Sequence, residues 1–284
     1  MMPSVRVRSP LLAAGAALAG FLCLGAAPAP NAAVPNFMPS GEASWIPEAD
    51  DFAAPPSGPG PVTFDPAHPY YPNFTPGKDP TYRVADLTNP ILQPWAKERM
   101  KKDNDAVIAG RIPFRARERC FPPGVPAFAI YSLVEPLYFL QTPSKITIID
   151  RGNEEVRRVY LNVPHSAKVT PSWYGESVGH YENGDTLVID TVGLTEKSFI
   201  DNYRTPHTDK LHVVERYRLI EGGKRIELTM TIEDPGTFTT AWTAMQRFRL
   251  NPKDPFDERI CAENATNFFN QDLMPIPQAA KADF

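Results

Sequence analysis

Leu211-His212-Val213-Val214-Glu215-Arg216-Tyr217-Arg218-Leu219 alternates strictly. Leu211, Val213, Glu215, Tyr217 and Leu219 fall on one face and His212, Val214, Arg216 and Arg218 on the other, the period of two of a half-buried strand. The neighbouring runs repeat the pattern. Ile226, Leu228, Met230 and Ile232 face inward, with Glu227, Thr229, Thr231 and Glu233 toward water, and Trp242, Ala244, Gln246, Phe248 and Leu250 share one face. Further β-rich runs cover Phe128 to Leu140, Lys145 to Ile149, Val156 to Val163, Ser177 to Glu182 and Thr186 to Val192. They are separated by turn signals such as Glu182-Asn183-Gly184-Asp185 and Glu221-Gly222-Gly223. The expected fold is therefore all-β, an antiparallel β-barrel of lipocalin-like type with about eight or more strands, because closure removes sheet edges and a small barrel can enclose one ligand. Without a fixed-period repeat, a propeller is disfavoured.

Ahead of these strands the composition changes. Of 32 prolines only Pro164, Pro171, Pro206, Pro235, Pro252, Pro255, Pro275 and Pro277 lie beyond residue 143. From Pro28 to Pro80 prolines alternate with Phe37, Trp45, Phe52, Phe64, Tyr70, Tyr71 and Phe74. A flexible spacer is poor in aromatics, so this stretch reads as an extended arm covering apolar surface of the core. Asn89-Pro90 through Gln93-Pro94-Trp95-Ala96 to Gly110 has an early proline, strong helix formers and a closing glycine, which predicts one short helix.

Arg6 and Arg8, the apolar stretch Leu11 to Leu24 and the small residues Gly25 to Ala29 have the layout of a secretory signal, and the apolar stretch is shorter than a membrane span. The expected division is a signal and cleavage region at 1–33, an arm with helix at 34–112, and a barrel domain with a C-terminal tail at 113–284. Periplasmic or secreted location follows. Loss of Cys23 with the signal leaves Cys120 and Cys261, which in an oxidising compartment are expected to pair. With 29 Lys and Arg against 33 Asp and Glu, the net charge of −4 argues against a nucleic-acid partner.

Glu215 on an apolar face must be ion-paired, to an inward Arg for example, or carry a raised pKa suited to a general acid or base. Four of the five histidines, His165, His180, His207 and His212, lie in the β region. The run His207 to Glu215 has two imidazoles and two carboxylates, yet on a strand His212 and Glu215 point to opposite faces, so no metal and no cofactor is expected. Glu215, His207, His212 and His165 are the catalytic candidates. Trp173, Tyr217, Trp242, Gln246 and Asp190 are the expected ligand-binding residues, with Gln246 the polar member of its apolar face. Asp234 opens the turn Asp234-Pro235-Gly236 and reads as its cap. Gly175-Glu176-Ser177-Val178-Gly179 matches a nucleophile elbow, with Asp190 and His207 following in order. The elbow needs a helix after its serine, and a strand is expected there, so close packing or a bulge accounts better for the glycines.

Gln93-Pro94-Trp95-Ala96, Cys120-Phe121-Pro122-Pro123-Gly124-Val125-Pro126, Trp173 to Glu182 running into Gly184 to Thr191, His207 to Tyr217, and Glu233-Asp234-Pro235 together resemble a family of exported bacterial β-rich proteins. The resemblance spans most of the chain from about residue 90 to Asn264, departs at His180-Tyr181, where a Trp before the Glu is the commoner form, and carries over no catalytic residue. The expected function is an exported barrel enzyme acting on a small hydrophobic molecule by His and Glu acid–base chemistry, as an isomerase, lyase or hydrolase. A lipocalin-like carrier of such a molecule is the alternative.

Overall fold

The computed structural model describes residues 34–72, 75–78, 81–116, 119–130, 135–152, 155–258, 267–268 and 271–272. The expected signal segment, Phe74 of the arm and Cys261 lie outside these residues. Nine strands close into a barrel in chain order. They are β1 (Ser44–Pro47), β2 (Leu137–Gln141), β3 (Lys145–Asp150), β4 (Glu155–Leu161), β5 (Glu176–Glu182), β6 (Thr186–Val192), β7 (His212–Ile220), β8 (Arg225–Glu233) and β9 (Trp242–Asn251). A two-stranded pair, β10 (Asn267–Phe268) and β11 (Gln271–Asp272), stands apart from the barrel sheet. Among the described residues no helix is long and apolar enough to cross a membrane.

The interior follows from the alternation. Leu211, Val213, Glu215, Tyr217, Ile226, Leu228, Met230, Ile232, Trp242, Ala244, Gln246 and Phe248 are all buried. The barrel departs from all-antiparallel pairing at one place. Strands β4 and β5 run parallel, in register Val159↔Ser177, Tyr160↔Val178 and Leu161↔Gly179. The physical reason is the connection: residues 162–175 form a crossover that returns the chain to the same end of the sheet, where a tight hairpin would have reversed it.

The strand that closes the ring comes from the proline-rich arm. β1 pairs antiparallel with β9 from Ser44↔Asn251 to Pro47↔Phe248, and with β2 through Trp45↔Leu137. Pro47 ends the strand, where the missing N–H interrupts no further ladder bond. Trp45 is fully buried and its indole donates to the Phe37 carbonyl at 2.7 Å. Further along, Ala53 exchanges two backbone hydrogen bonds with Met245. Arg83 is clamped by Asp50 and Asp51, each at 2.8 Å, with its guanidinium 3.8 Å from the Tyr70 ring centroid. The arm thus supplies a wall of the barrel as well as covering it.

The helix α1 (Pro94–Ile108) lies where its signals placed it, with Pro94 in the first turn. Its Asn104 side chain accepts from the Ala85 amide and donates to the Ala85 carbonyl, at 2.8 and 2.9 Å, stapling helix to arm. Phe128, expected at the start of a strand, sits instead in a buried 3-10 turn, Ala127–Ile130.

Removing the Trp45 side chain leaves a cavity at the closing strand. Trp45→Ala should lower the unfolding free energy by about 3–5 kcal/mol, read by urea denaturation; a loss below about 1 kcal/mol would show that closure does not depend on this strand's core contact.

Candidate functional site

Inside the barrel the polar residues are bound to one another. Arg157, inward on β4, meets Glu215, inward on β7, in a two-pronged ion pair: Nη1 donates to Oε1 at 3.0 Å and Nη2 to Oε2. Tyr217 donates to Glu215 Oε1 at 2.8 Å, and Arg157 also donates to Ser177 Oγ at 3.2 Å and Thr191 Oγ1 at 2.8 Å. The Phe128 ring covers the guanidinium, 4.9 Å from centroid to Cζ. Burial works against the charge on Arg157, but attraction to Glu215 more than offsets it and holds the guanidinium above its ordinary range. Burial, followed by the charge on Glu215, pushes the Tyr217 hydroxyl well above its ordinary range, so it remains a donor. Of the two readings of Glu215 from sequence, the geometry is that of the ion pair.

The other inward candidates are committed to the core. Gln246 donates to the Ala49 and Ala129 carbonyls at 2.7 and 3.2 Å, joining the arm to the 3-10 turn. Trp242 packs edge-on against Phe238. Ser177 of the elbow pattern points inward to Arg157 and Thr191. A Cβ on Gly175 would lie 2.3 Å from the Val192 carbonyl, and one on Gly179 2.8 Å from that of Val188. Close backbone approach therefore explains both glycines.

His207 is also buried. Its Nε2 lies 2.9 Å from Ser198 Oγ and its Nδ1 3.0 Å from the Thr208 carbonyl. The carbonyl can only accept, so Nδ1 carries a proton and the neutral ring accepts from Ser198 at Nε2. Burial lowers the His207 pKa. Beside it Asp234 accepts from the Thr208 amide, the Thr208 and Thr237 hydroxyls and the Gly236 amide, at 2.6 to 2.9 Å. Burial pushes this carboxyl up, but the Thr208, Thr237 and Gly236 bonds prevail and hold it below the usual range. Asp234 is a turn cap, as its motif suggested. Asp201, close by in sequence, is buried with acceptor bonds from the Tyr203 and Thr205 amides and the Thr205 hydroxyl. Burial pushes its carboxyl up to about 6 against those bonds.

The outer wall holds the residues that converge in a partly exposed setting. Asp190 of β6 faces outward, and its Oδ1 lies 2.9 Å from His212 Nε2 of β7 and 3.1 Å from His165 Nε2 of the crossover. The other nitrogen of His165 lies 2.9 Å from Glu176 Oε1 at the start of β5. The Ser166 hydroxyl and amide donate to Glu176 at 2.5 and 2.7 Å and hold its carboxyl below the usual range. His165 therefore has a carboxylate oxygen on each side, and both contacts are hydrogen bonds at once only when both ring nitrogens carry protons. His165, His212 and Asp190 come from three separate runs of the sequence and meet here, whereas His207 and Glu215 lie elsewhere in the core. Among the described residues no group of three or more His, Cys, Asp or Glu is placed to hold a metal ion.

A groove of about 560 Å³ opens next to this array. It lies where the first half of β4 has no partner on its β5 side, with β4 residues on one wall and the crossover on the other; Glu176 and Ser166 line it, and so does Trp173. Glu176 and Ser166 were not among the sequence candidates, although Glu176 lies within the quoted elbow pattern and Ser166 directly follows His165. Arg157 was also missed, though the same alternation that placed Glu215 puts Arg157 inward with Val159 and Leu161. No known family model matches the chain, and no curated protein matches it.

Two measurements check this account. Arg157→Leu strands Glu215 in the core and should cost about 3–5 kcal/mol of unfolding free energy, with Arg157→Leu/Glu215→Leu recovering part of the loss; equal stability of wild type and single variant would show that the pair is not a paired charge. For Asp201, the folded pKa near 6 lies above the ordinary 3.8. The folded state then binds the extra proton between the two values, so this group's contribution to stability falls as pH rises from about 4 to 6. Asp201→Asn removes the titration, and its amide can donate to the Thr205 hydroxyl. The variant should gain on wild type in unfolding free energy across that pH range, and a pH-independent difference would refute the assignment.

Proposed function

We propose that the protein is an exported enzyme in which the barrel is a packed scaffold and acid–base chemistry runs on its outer wall. The substrate is a small molecule bound in the groove between β4 and the crossover. The observation that carries this reading is the junction of groove and histidine array at Glu176: the carboxylate lines the groove and is hydrogen-bonded to His165. Glu176 is ionised at neutral pH, as an ordinary carboxylate is, and because the Ser166 bonds hold its carboxyl low a proton it accepts is readily passed on. In the His165 tautomer with its proton on Nε2, a proton taken at Glu176 Oε1 passes to the bare Nδ1 while the Nε2 proton passes to Asp190 Oδ1, which His212 also contacts. The side chains can pass a proton along in either direction without leaving their positions.

The reaction class this supports is proton abstraction or donation on an organic substrate, as in an isomerase, lyase or hydrolase. Export belongs to the same reading, on the strength of the expected leader at 1–33, and the pairing of Cys120 with Cys261 would follow from it. In the alternative reading, as a carrier, the groove binds without converting.

The test uses a panel of small ketones, esters and hydroxy acids incubated with the protein in D2O, with deuterium uptake and products followed by mass spectrometry. Wild type should exchange or convert at least one member. Glu176→Gln should slow that turnover by about 10²- to 10⁴-fold, and Asp190→Asn should slow it less, with melting temperatures little changed. Undiminished turnover in both variants would overturn the proposal, and binding without conversion would identify a carrier.

A further inference from the structure

We infer that the groove is built for an oxyanion on a flat apolar body, a planar carboxylate or phosphate ester whose charge is held by Arg158 and Lys168. This inference rests on the reading of the groove as the substrate site and adds the chemistry of what enters it.

Arg158, on the outward face of β4, and Lys168, on the crossover, both line the groove and are exposed. Neither side chain makes a hydrogen bond or ion pair among the described residues. Arg249 on β9 shares this state, whereas the other outward arginines of the barrel are paired: Arg216 reaches Glu182, Arg218 and Arg247 share Glu227, and Arg225 binds Glu221. Among the described residues two carboxylates also line the groove, and neither is hydrogen-bonded or ion-paired to these cations. Glu176 is occupied by Ser166 and His165. Glu155 is half-buried, burial raises its carboxyl above the usual range, and among the described residues it forms no ion pair with either cation. Among the described residues the groove therefore presents two cations without a hydrogen-bonded or ion-paired partner, and a guanidinium binds carboxylate or phosphate through paired, charge-assisted hydrogen bonds.

The walls of the groove carry aromatic rings beside these cations. Trp173 is stacked on Phe121, with ring centroids 5.5 Å apart and planes inclined by 21°, so its indole is a braced flat surface. Tyr160, next but one to Arg158 on the same outward face of β4, is 48 % exposed. Rigid aromatic surfaces favour a planar apolar partner at small entropic cost. Cations beside such surfaces, with Glu176 in the same groove, suit a substrate whose anionic group is anchored while another part reaches the proton-transfer array.

Binding separates this inference from the catalytic one. Naphthalene-2-carboxylate, 2-naphthyl phosphate and neutral naphthalene-2-carboxamide are titrated into the protein by calorimetry. At least one anion should bind, with the amide weaker by about tenfold or more, and the better of the two anions identifies the oxyanion. Arg158→Ala/Lys168→Ala should weaken the anion by a similar factor and leave the amide unchanged, and Trp173→Ala should weaken both. Glu176→Gln, in which proton transfer is expected to fail, should bind the anion at least as well as wild type. Equal affinity for anion and amide, anion binding that survives loss of both cations, or no binding by any of the three probes would overturn the inference, whatever the turnover assay shows.

Discussion

An ion pair inside a nine-stranded barrel sets the terms for the rest of the molecule. Two charges in a low-dielectric interior are tolerable only if they meet in good geometry and their remaining hydrogen-bonding capacity is used. Arg157 and Glu215 satisfy this through Ser177, Thr191 and Tyr217, so β4, β5, β6 and β7 all contribute to one network. The network fills the middle of the barrel and ties the two sides of the parallel seam together. Hydrogen-bonded polar groups at the centre leave that region as packed core, and chemistry has to be sought on the surface.

The parallel seam provides that surface. A crossover connection is longer than a hairpin, and here it rises over the outer wall, bringing His165 and Ser166 to the outward residues of β5, β6 and β7. Where β4 extends beyond its pairing with β5, the sheet and the crossover stand apart as groove walls. One irregularity in strand order therefore does two jobs: it brings His165 within reach of Asp190, and it opens a groove beside Glu176.

Much of the fold was readable because alternation is a local signal. β7, β8 and β9 appear in the sequence as runs of period two, and their inward sets match the buried residues. β1 was not readable, since Ser44-Trp45-Ile46-Pro47 is too short to show a period and lies among prolines; only its pairing with β9 makes it a strand. The direction of β5 relative to β4 depends on the path of the crossover, which no spacing encodes. For the site, His165, His212 and Asp190 were named individually, but their convergence depends on strand register, Asp190↔Val214 placing β7 so that His212 lies beside Asp190. Glu215 illustrates the limit: alternation showed that it was buried, and only the strand neighbours reveal that Arg157 is its partner.

The closing strand also bears on how the chain folds. Ser44 pairs with Asn251 and Pro47 with Phe248, contacts between opposite ends of the described chain. Pairings this distant in sequence carry a large loop-closure cost before they return any stabilisation, and topologies rich in them fold slowly. During synthesis β1 emerges before every other strand of the barrel, and its partner β9 after all of them. Until then Trp45 has no completed wall to enter, and the arm must stay extended and available. Frequent proline suits that wait, because it keeps the segment from settling into a helix or a competing central strand before β9 arrives.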